Sequence, residues 1–233
     1  TKIITVSFDS AKHMKLANPK KLLTIRNGID LSKYNANLTS KSCLKELGLD
    51  ENFEYITSIA SLEERKGILE LIKAYAKIAS KHENTRLLIV GKDRSSKQVY
   101  LNKMQDLIKN LGLSERVIIY GESKKIIQIM RASTLFVLYS SWEGLSRVLL
   151  EAMACSKAIV ASNAGGNSEQ VINNYNGFSV KFGDINALFM AIDKILNDRI
   201  LLAEFEKNSR ILCEKEFDIK RTTQEIQDLY ESV

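Results

Sequence analysis

Pro19 is the one proline in 233 residues, so no proline-rich linker divides the chain. Histidine is nearly as scarce, with His13 and His82 alone. Neither sits near a Ser or Cys nucleophile motif, which argues against a triad hydrolase. His82 ends a predicted helix and is expected at the surface. The three cysteines, Cys43, Cys155 and Cys213, are odd in number and widely spaced. With no Cys-x-x-Cys pair they suggest neither a zinc site nor a disulfide framework, and a reducing cytoplasm is the expected setting. Cys155 falls in an apolar helical pattern and reads as a buried small residue. No apolar run is long enough to span a bilayer, and the opening residues show no signal-peptide pattern. A Gly-x-x-x-x-Gly-Lys-Ser/Thr loop is absent, as is a Gly-x-Gly-x-x-Gly after a strand, so a dehydrogenase is not supported. There is no Arg-rich run and no aromatic RNA-binding signature, so no nucleic-acid partner is expected.

What is present suits a globular protein of one large domain or two small ones: 45% hydrophobic and 27% charged residues. The net charge of +6 favours acidic partners such as phosphates or an anionic membrane surface. The lysines are spread along the whole chain, so solubility explains the charge about equally well.

Strand and helix patterns alternate from residue 54 to residue 197. Strands are predicted at 2–7, 22–25, 53–60, 86–90, 117–120, 135–139, 158–161 and 178–180. Helices are predicted at 9–16, 42–47, 68–80, 97–111, 124–132, the segment after Gly144, a short turn after 166, 185–196, 199–214 and 218–232. Asp9 or Ser10 is the expected cap of the first helix, with Asn18-Pro19 as its stop. Asn27-Gly28 reads as a turn, and Asn167 or Ser168 as the cap of the short helix. The later strands are runs of Ile, Leu and Val without polar alternation, which predicts a parallel sheet covered on both faces. Right-handed crossovers then give an α/β, doubly wound, Rossmann-like fold with helices at the carboxyl terminus.

The segment Ser141-Trp142-Glu143-Gly144-Leu145-Ser146-Arg147-Val148-Leu149-Leu150-Glu151 turns from a buried strand into a helix. In a parallel sheet this carboxyl edge is where ligands bind. Backbone N–H groups at the helix start form a ready anion site. The loop Glu63-Glu64-Arg65-Lys66-Gly67 follows another strand and brings Arg65 and Lys66 to the same edge, either towards a diphosphate or neutralised by their own glutamates. Glu143 and Glu151 suit hydrogen bonds from sugar hydroxyls, Glu151 matching a vicinal diol. An acid–base pair and a solvated position for Glu151 are the alternatives that residue types leave open.

These residues, in order, resemble retaining GT-B glycosyltransferases of family 4 type, the glycosyl transferases group 1. Besides Glu143-x7-Glu151 the likeness runs through Ile25-Arg26-Asn27-Gly28-Ile29-Asp30, Ser61 to Gly67, Leu88-Ile89-Val90-Gly91, Arg116-Val117-Ile118 with Gly121, Gly165-Gly166-Asn167-Ser168-Glu169, Asn176-Gly177-Phe178 and Gly183-Asp184. It covers nearly the whole chain. The resemblance implies that Glu143 holds the donor sugar and Glu151 the ribose. It implies that backbone N–H groups at Gly144, Leu145 and Ser146 meet the diphosphate. Lys66, with Arg65, would neutralise the leaving nucleoside diphosphate, and the base would lie near the loops after Gly91 and Gly121. It further implies a UDP- or GDP-type hexose donor, no metal, front-face retention, and a glycan or lipid-linked acceptor of bacterial polysaccharide synthesis. Two departures stand out. Family members often carry Gly-Arg where this chain has Ala60-Ser61, removing one phosphate cation. Whole enzymes have two Rossmann-like domains, whereas this chain begins at Thr1 and matches one. Residues 1–20 are therefore expected to be the remnant of an N-terminal acceptor domain and linker, and residues 21–233 the donor-binding half of a GT-B fold. The expected place is the cytoplasm, with peripheral contact at the inner face of the cell membrane. The alternatives are a stand-alone nucleotide-sugar-binding module with a separate acceptor subunit, and another GT-B enzyme such as an epimerase or phosphorylase, which no motif supports.

Overall fold

The computed structural model describes residues 2–15, 21–34 and 38–232. In chain order the elements are β1 (Ile3–Thr5), α1 (Phe8–Lys12), β2 (Leu22–Thr24), α2 (Ser40–Leu47), β3 (Glu54–Ile59) and α3 (Ile68–Ala79). Next come β4 (Thr85–Val90), α4 (Val99–Asn110), β5 (Val117–Gly121), α5 (Ile126–Ala132), β6 (Ser133–Leu138) and α6 (Arg147–Ala154). The chain ends with β7 (Ala158–Ser162), α7 (Asn167–Gln170), β8 (Gly177–Val180), α8 (Ile185–Asn197), α9 (Arg199–Glu216) and α10 (Ile219–Glu231).

Strands β3 to β8 form one parallel sheet in the order β5-β4-β3-β6-β7-β8. The chain lays down β3, β4 and β5 in one direction, then returns beside β3 with β6 and continues outward the other way. The expected doubly wound, Rossmann-like α/β fold is therefore what forms. The order reverses between β3 and β6, and the crevice at their carboxyl ends is the topological switch point.

Alternation along the strands sorts the core onto two faces. Leu135 and Val137 of β6, with Ala158 and Val160 of β7, pack against Leu71, Ile72 and Tyr75 of α3 and Leu188 and Ile192 of α8. Phe136, Leu138, Ile159 and Ala161 point the other way, onto Leu149 and Met153 of α6 and Cys213 of α9. Both faces are covered, so the strands need no polar alternation. Leu71, Ile72 and Ile78 of α3 are fully buried, each worth about 1.5–3 kcal/mol. Cys155 is buried as its apolar helix predicts.

A separate two-stranded parallel sheet joins β1 to β2. Among the described residues it is tied to the main body through α1 and through the segment that follows β2. The backbone N–H of Asp9 donates to Glu169 Oε1 at 2.9 Å. Arg26 pairs with Glu216 at 2.7 Å, while Thr222 of α10 donates to the Arg26 carbonyl at 2.9 Å.

Five local expectations are corrected. The cap of α1 is Ser7, whose Oγ accepts from the Ser10 N–H at 3.0 Å, while Asp9 sits in the first turn. That helix closes at Lys12, so residues 13–15 of its expected span lie beyond its end; Leu16 and the expected stop at Asn18-Pro19 lie outside the described residues. The residue before α7 is Gly166, with no side-chain cap, because Asn167 turns inward to the Ser162 carbonyl at 3.2 Å. Neither Asn27 nor Gly28 has positive φ. Glycine is needed at 28 because a Cβ would meet the Ile219 backbone at 2.7 Å. His82 is largely covered and bonds Asp193 at 2.8 Å, where an exposed ring was expected. Among the described residues no helix is long and apolar enough to cross a membrane.

Candidate functional site

Two loops leave the carboxyl ends of β3 and β6 and meet across the switch point. One contains a 3-10 turn at Glu64–Lys66 closed by Gly67, which has φ +60°. A Cβ on Gly67 would lie 2.1 Å from the Tyr139 carbonyl oxygen, so only glycine admits this approach. The Ser141 N–H donates to the Arg65 carbonyl at 2.8 Å and seals the loops together.

The ammonium of Lys66 is bonded to Glu143 Oε1. The same oxygen accepts from the buried Ser140 hydroxyl at 2.7 Å. The two charged side chains are 11% and 13% exposed, so they face one another in a largely dry crevice. Arg65 is placed differently: its guanidinium lies 2.9 Å from Glu63 and is half exposed. Ser61 donates to Glu63 at 2.6 Å, and this bond leads the lowering of the Glu63 carboxyl, with Arg65 and Lys66 contributing. The loop thus neutralises Arg65 with its own acid but commits Lys66 to Glu143.

The turn Glu143–Ser146 leads into α6. Gly165 and Gly166 press against it from behind. A Cβ on Gly165 would stand 1.9 Å from the Glu143 carbonyl oxygen, and one on Gly166 would stand 1.8 Å from that of Gly144. The Gly166 N–H donates to the Glu143 carbonyl at 3.0 Å. Leu145 is buried and anchors the turn in the core. Among the described residues the N–H groups of Gly144 and Leu145 have no partner, whereas that of Ser146 donates to Gln170 Oε1 at 2.8 Å. Two of the three backbone donors named from the sequence are therefore open, beside the positive end of α6.

Glu151 lies one turn along α6 from Arg147, 14% exposed, with Arg147 at 3.4 Å. Burial raises its carboxyl above the ordinary 4.5, and Arg147 pulls it partly back. Tyr34 lies beside it, its phenol pushed up to about 12 by burial and then by the Glu151 charge. Glu151 is a covered acid, which removes the purely solvated alternative.

Gly91 and Gly121 close β4 and β5 and are joined by a bond of 2.8 Å from the Gly91 N–H to the Gly121 carbonyl. Beside them opens a cleft of about 270 Å³, lined by Ala60, Gly91, Lys92, Glu122, Ser123 and Ile126. A neighbouring cleft of about 350 Å³ shares Ser61, Lys92 and Arg94 with it. Buried Asp93 shapes this edge by accepting from the N–H groups of Ser95, Tyr100 and Leu101 at 2.8–3.0 Å. The Ser95 hydroxyl first and then these N–H groups hold its carboxyl down at about 2. Among the described residues no three of His, Cys, Asp and Glu gather as a metal site.

Sequence reasoning missed Ser140, Gln170 and Asp93. Ser140 carried a local signal, three residues before Glu143 at the end of an apolar strand. Gln170 carried none, lying in a polar stretch 24 residues from the backbone it holds.

The comparisons fit this geometry. The family described as Glycosyl transferases group 1 matches residues 41–211. The chain is similar to the UDP-Gal:alpha-D-GlcNAc-diphosphoundecaprenol alpha-1,3-galactosyltransferase of Escherichia coli, 31% identical over 217 residues, covering 91% of this chain and 54% of that protein. It is also similar to solved structures of HepE from Anabaena. The complex with UDP gives a TM-score of 0.93 at 28% identity, covering 100% of this chain and 64% of that one. The complex with UDP-glucose gives 0.90 at 27% over the same shares. The chain spans about half the length of that galactosyltransferase. A switch-point crevice with these residues in place, together with a family match over most of the chain, shows that the chain belongs to the glycosyl transferases group 1 family.

Proposed function

We propose that this chain is the donor-binding half of a retaining, metal-independent glycosyltransferase. It moves a hexose-type sugar from a UDP- or GDP-sugar to a glycan or lipid-linked acceptor. The carrying observation is the junction at the switch point, where Lys66, Glu143 and the open N–H groups of Gly144 and Leu145 converge. The HepE complexes with UDP and UDP-glucose support a nucleotide-sugar donor. The diphosphoundecaprenol in the name of the Escherichia coli relative supports a lipid-linked acceptor.

In this reading the nucleobase enters the cleft beside Gly91 and Gly121, and Glu151 accepts hydrogen bonds from the ribose diol. The diphosphate lies over the start of α6, where N–H groups and the helix dipole favour negative charge. Glu143 accepts from the sugar hydroxyls. As the bond between the anomeric carbon and the phosphate oxygen breaks, Lys66 and the helix end stabilise the charge left on the diphosphate. The acceptor hydroxyl bonds the anomeric carbon from the face the leaving group departs, and its proton passes to the departing phosphate oxygen. Arg65 is half exposed against Glu63 whereas Lys66 lies in the crevice, so Lys66 carries the main part. Residues 1–20 belong in this reading to the acceptor domain and linker, and residues 21–233 to the donor domain. The enzyme works in the cytoplasm, at the inner face of the cell membrane.

Calorimetry with UDP, GDP and ADP in the presence of EDTA tests the proposal and names the base. Binding of one of the three is expected. A folded chain that binds none of them overturns it.

A further inference from the structure

The Glu143–Ser146 turn needs a fixed shape if its N–H groups are to meet a diphosphate, yet Ser146 does little to fix it. Ser146 stands at the N-cap of α6 with φ −77° and ψ 116°, and its hydroxyl makes no capping bond. The missing constraint comes from Gln170 at the end of α7. Its side-chain carbonyl accepts from the Ser146 N–H at 2.8 Å, and its amide donates to the Ser146 carbonyl at 2.8 Å. Both polar ends of one side chain thus hold both polar groups of one residue, as a neighbouring strand would. Gln170 is completely buried. It is held in turn by Asn176, also fully buried, which donates to the Gln170 carbonyl at 3.0 Å and accepts from the Ile172 N–H at 2.8 Å.

We propose that Gln170 is a positioning residue for the donor diphosphate, acting through Ser146. This rests on the reading that the turn receives the donor. Gly165 and Gly166 back the turn at Glu143 and Gly144, and Gln170 pins its far end. By occupying the Ser146 N–H, Gln170 also limits the donors left for a phosphate to those of Gly144, Leu145 and the first turn of α6. A site must be held to within about half an ångström for such donors to act together, and a buried two-bond clamp supplies that rigidity. The clamp also sits where a hydrophobic residue of equal size would fill the same space, so its chemistry is not required by packing alone.

Gln170→Met removes both bonds at similar volume, and Gln170→Glu keeps an acceptor for the Ser146 N–H but loses the donor to its carbonyl. The readout is affinity for whichever of UDP, GDP and ADP binds the unmodified chain, beside affinity for the matching nucleoside, which lacks phosphate. Gln170→Met is expected to weaken the nucleoside diphosphate about tenfold, with Gln170→Glu intermediate and the nucleoside unchanged within about twofold. Should Gln170→Met fail to fold, Gln170→Leu, which also removes both bonds and adds no charge, takes its place. Equal losses for nucleoside and nucleoside diphosphate would reduce Gln170 to a general structural role and overturn the proposal. Unchanged affinity for both in folded variants overturns it too, leaving the donor reading intact. An unmodified chain that binds no nucleoside diphosphate overturns the donor reading and this inference with it.

Discussion

Lys66 and Glu143 stand 77 residues apart in the chain and are joined, Nζ to Oε1, across the reversal of strand order. Each is nearly nine-tenths covered. Removing either partner leaves the other charge in a poorly hydrated crevice, which costs more than the pair itself contributes. Lys66→Ala and Glu143→Ala should each destabilise the chain, and the double variant should lose less than the sum. The interaction from a double-mutant cycle in urea is expected at about 1–3 kcal/mol. Additivity within about 0.5 kcal/mol would show that the charges do not depend on one another.

Glu151 should make nucleotide binding sensitive to acid. Its folded carboxyl is raised above the ordinary 4.5, chiefly by burial. The folded state therefore holds this proton more tightly than the unfolded chain does. Its stabilising contribution is fully present below the unfolded value and is lost as pH rises through the folded value. Binding runs the opposite way, because a ribose diol needs the ionised acceptor. Nucleotide affinity should fall as pH drops through the raised value, beginning above the ordinary carboxylate range. Affinity measured against pH for the unmodified chain and for Glu151→Gln checks this: the variant should lose that limb of the profile.

Gly166→Ala should damage the site more than its size suggests. The added Cβ would stand 1.8 Å from the Gly144 carbonyl oxygen, a backbone atom of the Glu143–Ser146 turn. Relief requires moving the turn, at a cost of about 1–3 kcal/mol. Denaturation should show that loss, and nucleotide affinity should fall with it. A variant that binds normally would mean the turn tolerates displacement.

Ser156→Gly should stabilise the chain. Ser156 has φ +56° just after α6, where its N–H donates to the Met153 carbonyl at 2.9 Å and the Lys157 N–H to Ala152 at 3.0 Å. This is the left-handed closure that glycine usually provides. Removing the Cβ relieves about 1 kcal/mol of strain, offset in part by the freedom glycine gains when unfolded. Thermal melting should move up by a few degrees at most, about 2–4 °C per kcal/mol for a chain this size. Nucleotide affinity should stay unchanged, since Ser156 lies at the opposite end of α6 from the turn.

The repeating pattern was readable because β4 to β7 each carry a short apolar run, β3 is rich in β-formers, and longer helices such as α3 show a 3.6-residue stripe. The Glu143-x7-Glu151 spacing and the basic loop at Arg65-Lys66 were readable because each lies within one strand–loop–helix unit. What escaped were relations between units. Nothing local to Lys66 says that it pairs with Glu143 while Arg65 turns to Glu63. The cap of α1 fell at Ser7 because residues of equal capping ability follow one another, and the contact of Asp9 with Glu169 is set by a segment 160 residues away. His82 was placed in solvent because Asp193, its partner, lies on α8. Gln170 gave no signal because its role depends on a backbone that sequence does not position.

In the proposed reading Glu143 meets the donor sugar and Glu151 the nucleotide. It is tested most directly by calorimetry on the unmodified chain, Glu143→Ala and Glu151→Ala, using UDP-glucose against UDP and GDP-mannose against GDP. Glu151→Ala should weaken nucleotide sugar and bare nucleotide together, by about tenfold for a lost charge-assisted hydrogen bond. Glu143→Ala should weaken the nucleotide sugar while leaving the bare nucleotide bound as before, or more tightly now that Lys66 is released. Equal losses for both ligands in Glu143→Ala would contradict the account.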